Sequence, residues 1–288
     1  MKKILVPVDF SETSINALEQ ALLVAQASKG EVNLLNVVKK GASFSSFFSS
    51  SQKAPLLSEE EAREKLSSLV DQYSTEGKGV KMTYECRKGN IEDQIDKYCE
   101  EIEADLICMG THGVTGFKEF WMGSNAYRIV SLASVPVLTL RKNVKANDLQ
   151  KIVMPIDMSR NTRHKVPQTI QIAKLFRSTI HIVGLPSNNQ GELFTKVKNY
   201  VGQVTKFIED KGIECRSEML PAENPSKATL GYAEKIDANL ISIMTEQEFD
   251  PSAIIVGPYA QQMVNHSQFP VLTSRPSEYL RGSASVFG

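Results

Sequence analysis

The sequence predicts an α/β protein of two tandem doubly wound domains, each a five-stranded parallel sheet with helices on both faces. Three observations carry that expectation: a nine-residue segment that recurs, short apolar runs that alternate with amphipathic stretches, and glycine-bearing turns where an apolar run gives way to a helix.

The recurrence sets the organisation. Lys3-Ile4-Leu5-Val6-Pro7-Val8-Asp9-Phe10-Ser11 returns 148 residues later as Lys151-Ile152-Val153-Met154-Pro155-Ile156-Asp157-Met158-Ser159. The same offset aligns Val32–Val37 with Ile180–Leu185, whereas Ala104-Asp105-Leu106-Ile107 and Pro136-Val137-Leu138-Thr139 meet Ala238–Ile241 and Pro270–Thr273 at an offset 14 residues smaller. Four matches in one order mark a duplication with a longer segment in the first copy. The domains are expected at residues 1–142 and 151–275, with a polar linker at 143–150 and a tail at 276–288.

Composition narrows the class. The 288 residues are 41 % hydrophobic and 23 % charged, as in a globular protein, and 33 basic residues meet 33 acidic ones. No global charge therefore draws the chain to nucleic acid or to anionic lipid. No apolar run reaches the ~18–20 residues that a membrane span requires. Met1-Lys2-Lys3 leads too quickly through Ile4-Leu5-Val6-Pro7 to Asp9 to read as a signal peptide. Cys86, Cys99, Cys108 and Cys215 form no metal-binding spacing, and scattered thiols suit a reducing cytoplasm.

In chain order, Ile4–Val8, Val32–Val38, Val80–Cys86, Leu106–Met109 and Val135–Leu140 read as strands, several of them apolar on both faces as a covered parallel sheet requires. Ile15, Leu18, Leu22 and Ala25 keep helical spacing, as do Ala62, Leu66, Leu69 and Tyr73, and Ile91, Ile95, Tyr98 and Ile102. Ser58 and Glu61 have the spacing of a capping box. Residues 39–57, rich in serine and carrying Phe44, Phe47 and Phe48, read as a loop, with a lid over a neighbouring site as the sharper reading. The shared Pro-Val-Leu-Thr run predicts that the last strands of the two copies pair across a pseudo-twofold axis.

The stretch with chemistry in it is Met109-Gly110-Thr111-His112-Gly113, then nine residues, then Gly123-Ser124. It follows a strand and opens a helix at Asn125–Ala133, where unpaired N–H groups and partial positive charge favour a phosphate. Glycines let backbone approach a ligand, and the Ser124 hydroxyl can add a hydrogen bond. The plain alternative is that these glycines only turn the chain.

The Gly110-x2-Gly113-x9-Gly123-Ser124 pattern, the Pro7-Val8-Asp9 turn and Pro136-Val137 resemble the universal stress protein family, closely over residues 1–142 and loosely over 151–275. The resemblance implies a cytoplasmic stress-response protein that binds ATP, with or without Mg, in its first domain. It would set adenine and ribose against Pro7, Val8, Asp9 and the main chain of Val37. Gly110, Gly113, Gly123 and Ser124 would hold ribose and phosphates, and Met109, His112 and Asn125 complete the candidate set. Asp9 has a competing role as a turn residue, since Asp157 persists where the glycines are lost. In the second copy Met244, Gln247 and Pro258 replace Gly110, Gly113 and Ser124, so nucleotide is not expected there.

No Walker lysine motif is present, and the four histidines lack the spacing of a metal helix. No residue stands out as a general base, so an efficient hydrolase is not indicated; slow ATP hydrolysis and a ligand-free scaffold are the alternatives. Partners are expected to be the nucleotide, an unidentified protein and the chain's own second domain, with homodimerisation open; nucleic acid and membrane are not expected.

Overall fold

A computed structural model describes residues 1–38, 57–75, 79–111, 123–245 and 257–276. The expected lid at 39–57 falls outside these residues except for Leu57, and so do His112, Gly113 and the tail beyond Pro276.

The first copy runs β1 (Lys3–Pro7), α1 (Glu12–Ser28), β2 (Glu31–Val38), α2 (Glu59–Thr75), β3 (Lys81–Lys88), α3 (Ile91–Glu101), β4 (Leu106–Gly110), α4 (Ser124–Leu132) and β5 (Val137–Leu140). The second runs β6 (Lys151–Ile156), a 3-10 turn at Arg160–Arg163, α5 (Val166–Phe176), β7 (Thr179–Gly184), α6 (Glu192–Glu209), β8 (Cys215–Met219), α7 (Pro225–Lys235), β9 (Leu240–Met244), α8 (Pro258–His266) and β10 (Val271–Ser274).

Local chemistry sets these boundaries. Ser11 caps α1, its hydroxyl accepting from the Ser14 N–H, and Lys29 ends it in the left-handed region at φ 52°. Arg177 ends α5 in the same conformation at φ 53°. Asn90 and Asn224, equivalent by the repeat, cap α3 and α7 by accepting from Asp93 N–H and Lys227 N–H at 3.0 and 2.9 Å. Ser58 and Glu61 form the expected reciprocal box: Ser58 N–H donates to Glu61 Oε2 at 2.7 Å, and Glu61 N–H to Ser58 Oγ at 3.2 Å.

All ten strands lie in one sheet, ordered β3-β2-β1-β4-β5-β10-β9-β6-β7-β8. Each copy contributes five parallel strands, and the copies meet where β5 pairs antiparallel with β10. There Leu138 lies opposite Leu272, its own duplicate. The Thr139 hydroxyl donates to Val271 O at 3.2 Å and the Thr273 hydroxyl to Val137 O at 3.1 Å, the same bond made twice across a pseudo-twofold axis.

Side chains alternate across the strands, so one apolar layer lies on each face and each layer runs through both copies. Ile4, Val6, Leu18, Leu66, Leu138, Ile152, Val197 and Leu272 belong to one layer. Leu5, Ile95, Ile107, Ile129, Val153, Tyr232, Ile241 and Val271 belong to the other. Helices α1, α2, α5 and α6 cover the first layer; α3, α4, α7 and α8 cover the second. The linker is anchored as well. Fully buried Gln20 accepts from Asn147 N–H at 2.9 Å and donates to Asn147 O at 3.0 Å, and Ser178 Oγ donates to Leu149 O at 2.6 Å.

Candidate functional site

Within the first copy the order β3-β2-β1-β4-β5 reverses its winding between β1 and β4. The carboxyl ends of those strands open a crevice where doubly wound sheets hold ligands. Pro7 ends β1, buried Val8 follows it, and half-buried Asp9 begins the turn into α1. Val37 is the penultimate residue of β2, and Met109 and Gly110 end β4. Gly123 caps α4, whose first two residues are Ser124 and Asn125.

Contacts tie several of these positions together. The Ser11 hydroxyl and N–H both donate to Asp9 Oδ1, at 2.5 and 3.1 Å. That hydrogen being used, the 3.0 Å contact between Ser11 Oγ and Thr13 Oγ1 has Thr13 as donor. Thr13 in turn touches Gly110: a Cβ there would stand 2.8 Å from Thr13 Cβ and Oγ1 and 2.9 Å from its carbonyl carbon. Glycine at 110 is thus required by the close approach of α1 to β4. Gly123 differs, since among the described residues a Cβ there would meet only Thr111 O, at 3.4 Å.

The backbone frame is simple. Thr111 N–H donates to Leu140 O and Gly123 N–H to Thr111 O, both at 2.9 Å, which carries the chain from β4 to the start of α4. Unlike α1 and α3, α4 has no side-chain cap on its first N–H groups among the described residues. These are the donors that an anion would take. On the other side, buried Asn36 donates from Nδ2 to Val8 O at 2.7 Å and fixes the end of β1 against β2. Phe10 adopts φ 64°, an uncommon conformation for a bulky residue, with Lys65 Nζ 5.4 Å from its ring centre. Thr13, Asn36 and Phe10 escaped the sequence reading because their roles are contacts and backbone conformation, which no spacing reports.

The second copy keeps the frame and changes the lining. Thr245 N–H donates to Ser274 O and Gly257 N–H to Thr245 O, again at 2.9 Å. Ser159 N–H and Oγ donate to Asp157 Oδ1 at 2.9 and 2.7 Å, the turn made by Asp9 and Ser11. Met244, however, stands where Gly110 lets α1 approach. Helix α5 starts at Val166, six residues later than the repeat would place it, and a 3-10 turn fills the gap. A long side chain at the strand end is incompatible with the first copy's packing, and the retreat of the helix is the structural response. Met158, the counterpart of Phe10, is not among the positive-φ residues.

Other titratable groups have structural explanations. His181 Nδ1 lies 3.1 Å from the Tyr232 hydroxyl, and burial lowers the affinity of its ring for a proton. Cys108, fully buried, has its thiol pushed up by desolvation and bonded to Ala17 O at 3.1 Å. Among the described residues no group of three or more His, Cys, Asp or Glu could hold a metal ion, and no helix is long and apolar enough to cross a membrane.

Comparison with known proteins fits this architecture. Residues 1–141 match the universal stress protein family. A universal stress protein of Methanocaldococcus jannaschii is 33 % identical over 148 residues, which span 50 % of this chain and 84 % of that protein. Universal stress protein G of Escherichia coli O157:H7 is 28 % identical over 144 residues, 49 % of this chain and 99 % of its own. Over the whole chain, a universal stress protein structure from Archaeoglobus fulgidus superposes with a TM-score of 0.73 at 20 % identity, covering 95 % of this chain and 98 % of that one. A Pseudomonas aeruginosa protein described as functionally unknown superposes at 0.69 with 17 % identity, covering 97 % and 94 %. The duplicated five-stranded unit and the matched first half lead to one conclusion: the chain belongs to the universal stress protein family.

Proposed function

We propose that the first half binds ATP at the carboxyl ends of β1 and β4, and that the nucleotide sets the conformation or partner choice of a stress-response protein. The observation that supports this is a difference between the halves. In the first, α4 begins with Gly123 and Ser124, and Ser124 keeps its N–H and hydroxyl. In the second, the same frame carries Pro258 at the first helical position and Met244 at the strand end. Pro258 has no N–H to offer, and Met244 occupies the place of a glycine.

Gly110, Gly123, Ser124 and Asn125 would line the phosphate side, with Pro7, Val8, Asp9 and Val37 toward the base and ribose. Met109 would support Gly110 from within the sheet, and His112 and Gly113 would close the loop. The chain's own contribution is binding and orientation: helix N–H groups and the Ser124 hydroxyl donate to phosphate oxygens, and backbone at Val37 meets the base. Asp9 already accepts two hydrogen bonds from Ser11, so no hydrolytic role is assigned to it. A reducing, cytoplasmic setting fits four cysteines that form no disulfide with one another.

Calorimetry on the intact chain, with and without Mg, tests the proposal. One ATP bound per chain is the expected result, and none or two would overturn it. A second reading, a scaffold that binds no ligand, is favoured by one observation: Asp9 and Asp157 hold the same turn in both halves. Absence of ATP binding by a folded chain would establish it.

A further inference from the structure

One carbonyl group at the end of the first strand takes a different donor in each half. In the second half Leu185 N–H donates to Ile156 O at 2.8 Å, the ordinary next rung of the parallel ladder between β6 and β7. The equivalent rung in the first half would run from Val37 N–H to Val8 O. It is not made. Val8 O accepts instead from the side chain of Asn36, through Nδ2 at 2.7 Å. Among the described residues Val37 N–H has no acceptor and Val37 O has no donor.

Both groups of Val37 face the crevice. Leu35 O accepts from Val8 N–H at 2.8 Å, so Leu35 and, two residues on, Val37 turn their main-chain groups toward β1. Val38 O points the other way and accepts from Gly89 N–H, just past β3, at 3.0 Å. Beyond Val8 the chain leaves β2 for the turn at Asp9 and for Phe10 at φ 64°, so the ladder stops short of Val37. A donor and an acceptor of one residue thus stand side by side at the carboxyl end of the sheet.

The exchange of donors depends on the side chain at position 36. Its counterpart is Gly184, where a Cβ would stand 2.4 Å from Met219 Sδ. Met219 lies opposite Gly184 on β8, whereas the smaller Cys86 lies opposite Asn36 on β3. With no amide to compete, Ile156 O takes the Leu185 N–H and that edge is closed. This difference between the halves is separate from Met244 and Pro258, which bear on the phosphate side.

Adenine presents a ring nitrogen that accepts beside an amino group that donates, the complement of an N–H beside a C=O. Guanine carries an acceptor oxygen in place of that amino group. We infer that Asn36 is the positioning residue of the base subsite: by donating to Val8 O it releases the Val37 N–H from the sheet, and Val37 then offers donor and acceptor together to the base. This role rests on the ATP binding proposed above.

Calorimetry of the intact chain with ATP and with GTP, paired with amide exchange of 15N-labelled protein, tests it. In nucleotide-free wild type the Val37 amide is expected to exchange well ahead of Leu185, and to become protected when ATP is added. Asn36→Leu keeps the size of the side chain and removes the donor, so Val37 N–H should turn to Val8 O and gain protection before any ATP is present. ATP affinity should then fall by about tenfold, on the scale of one hydrogen bond, while GTP binding changes little; a purely structural loss would weaken both together. A folded wild-type chain that binds no ATP overturns the ATP site and this role with it. ATP binding to a wild-type chain whose Val37 amide is already as protected as Leu185 without nucleotide would overturn the role of Asn36 alone. An unchanged ratio of ATP to GTP affinity in folded Asn36→Leu would do the same. If Asn36→Leu does not fold, the exchange of Val37 against Leu185 in wild type, with and without ATP, still decides.

Discussion

Gly110 and Thr13 meet more closely than two side chains could: a Cβ at 110 would stand 2.8 Å from Thr13 Cβ and 2.9 Å from its carbonyl carbon. The glycine that begins the candidate phosphate motif is thus also a packing residue. Gly110→Ala should destabilise the chain by about 1–3 kcal/mol, the usual cost of overpacking, as read by urea denaturation. Thr13→Ala should not restore it, because the clash includes Cβ and main chain. A stable Gly110→Ala variant would show that α1 can give way.

Ser124→Pro copies Pro258 into the first half. Proline is tolerated at the first helical position, so stability should change by no more than about 0.5 kcal/mol. If the N–H and hydroxyl of Ser124 hold phosphate, ATP affinity should fall by about tenfold to a hundredfold in calorimetry. Unchanged affinity would move the nucleotide away from the start of α4.

ATP should also change the emission of Trp121, the chain's single tryptophan, which lies between Gly113 and Gly123 in the sequence. Fluorescence that saturates with ATP in wild type but not in Gly113→Val, with unfolding curves unchanged, is the expected pattern. A Gly113→Val variant that unfolds would assign that glycine to the fold instead.

Lys165 gives a prediction of opposite character. Burial lowers its ammonium from 10.5 to about 8 in the folded chain. Below pH 8 both states are protonated and the folded state carries the whole cost of the buried charge, roughly 3 kcal/mol. Between about pH 8 and 10.5 the folded chain releases this proton while the unfolded chain keeps it, so this residue's contribution to stability rises with pH. Lys165→Met should therefore be more stable than wild type at pH 7, and the gap should narrow by pH 10. Denaturation curves at the two pH values check the sign; a gap that widens would refute it.

At the linker, Gln20→Ala removes both bonds to Asn147 and leaves a space in a fully buried position. A loss of about 2–4 kcal/mol is expected from thermal or urea unfolding. Because α1 also packs on α5, hydrogen exchange should rise in both helices rather than in α1 alone.

Much of this molecule could be read from its sequence. The duplicated strand segments, the capping box at Ser58 and Glu61 and the pairing of the last strands were all visible, because each rests on apolar period or repeated local chemistry. The ends of β3 were less so. It runs Lys81–Lys88 rather than Val80–Cys86, and as an edge strand its polar residues face water and blur the apolar pattern. Around the site, the glycines announced themselves but not their reasons: Gly110 answers to Thr13, 97 residues earlier in the chain, in a contact that no spacing encodes. Lys165 was invisible. A lysine between His164 and Val166 reads as solvated, yet it stands at the position of buried Ala17 and is itself buried.

The antiparallel join of β5 to β10 has a consequence for how such a chain changes over time. In an assembly of two identical chains, every substitution arrives twice, once on each side of the axis. Here the Leu138–Leu272 contact keeps the geometry of such an assembly, but the two sides are spelled by separate stretches of one gene. One side could trade Gly110 and Ser124 for Met244 and Pro258 while the other kept them. Fusion preserves the shape of symmetry and releases the sequence from it, so one half is at liberty to acquire a different ligand.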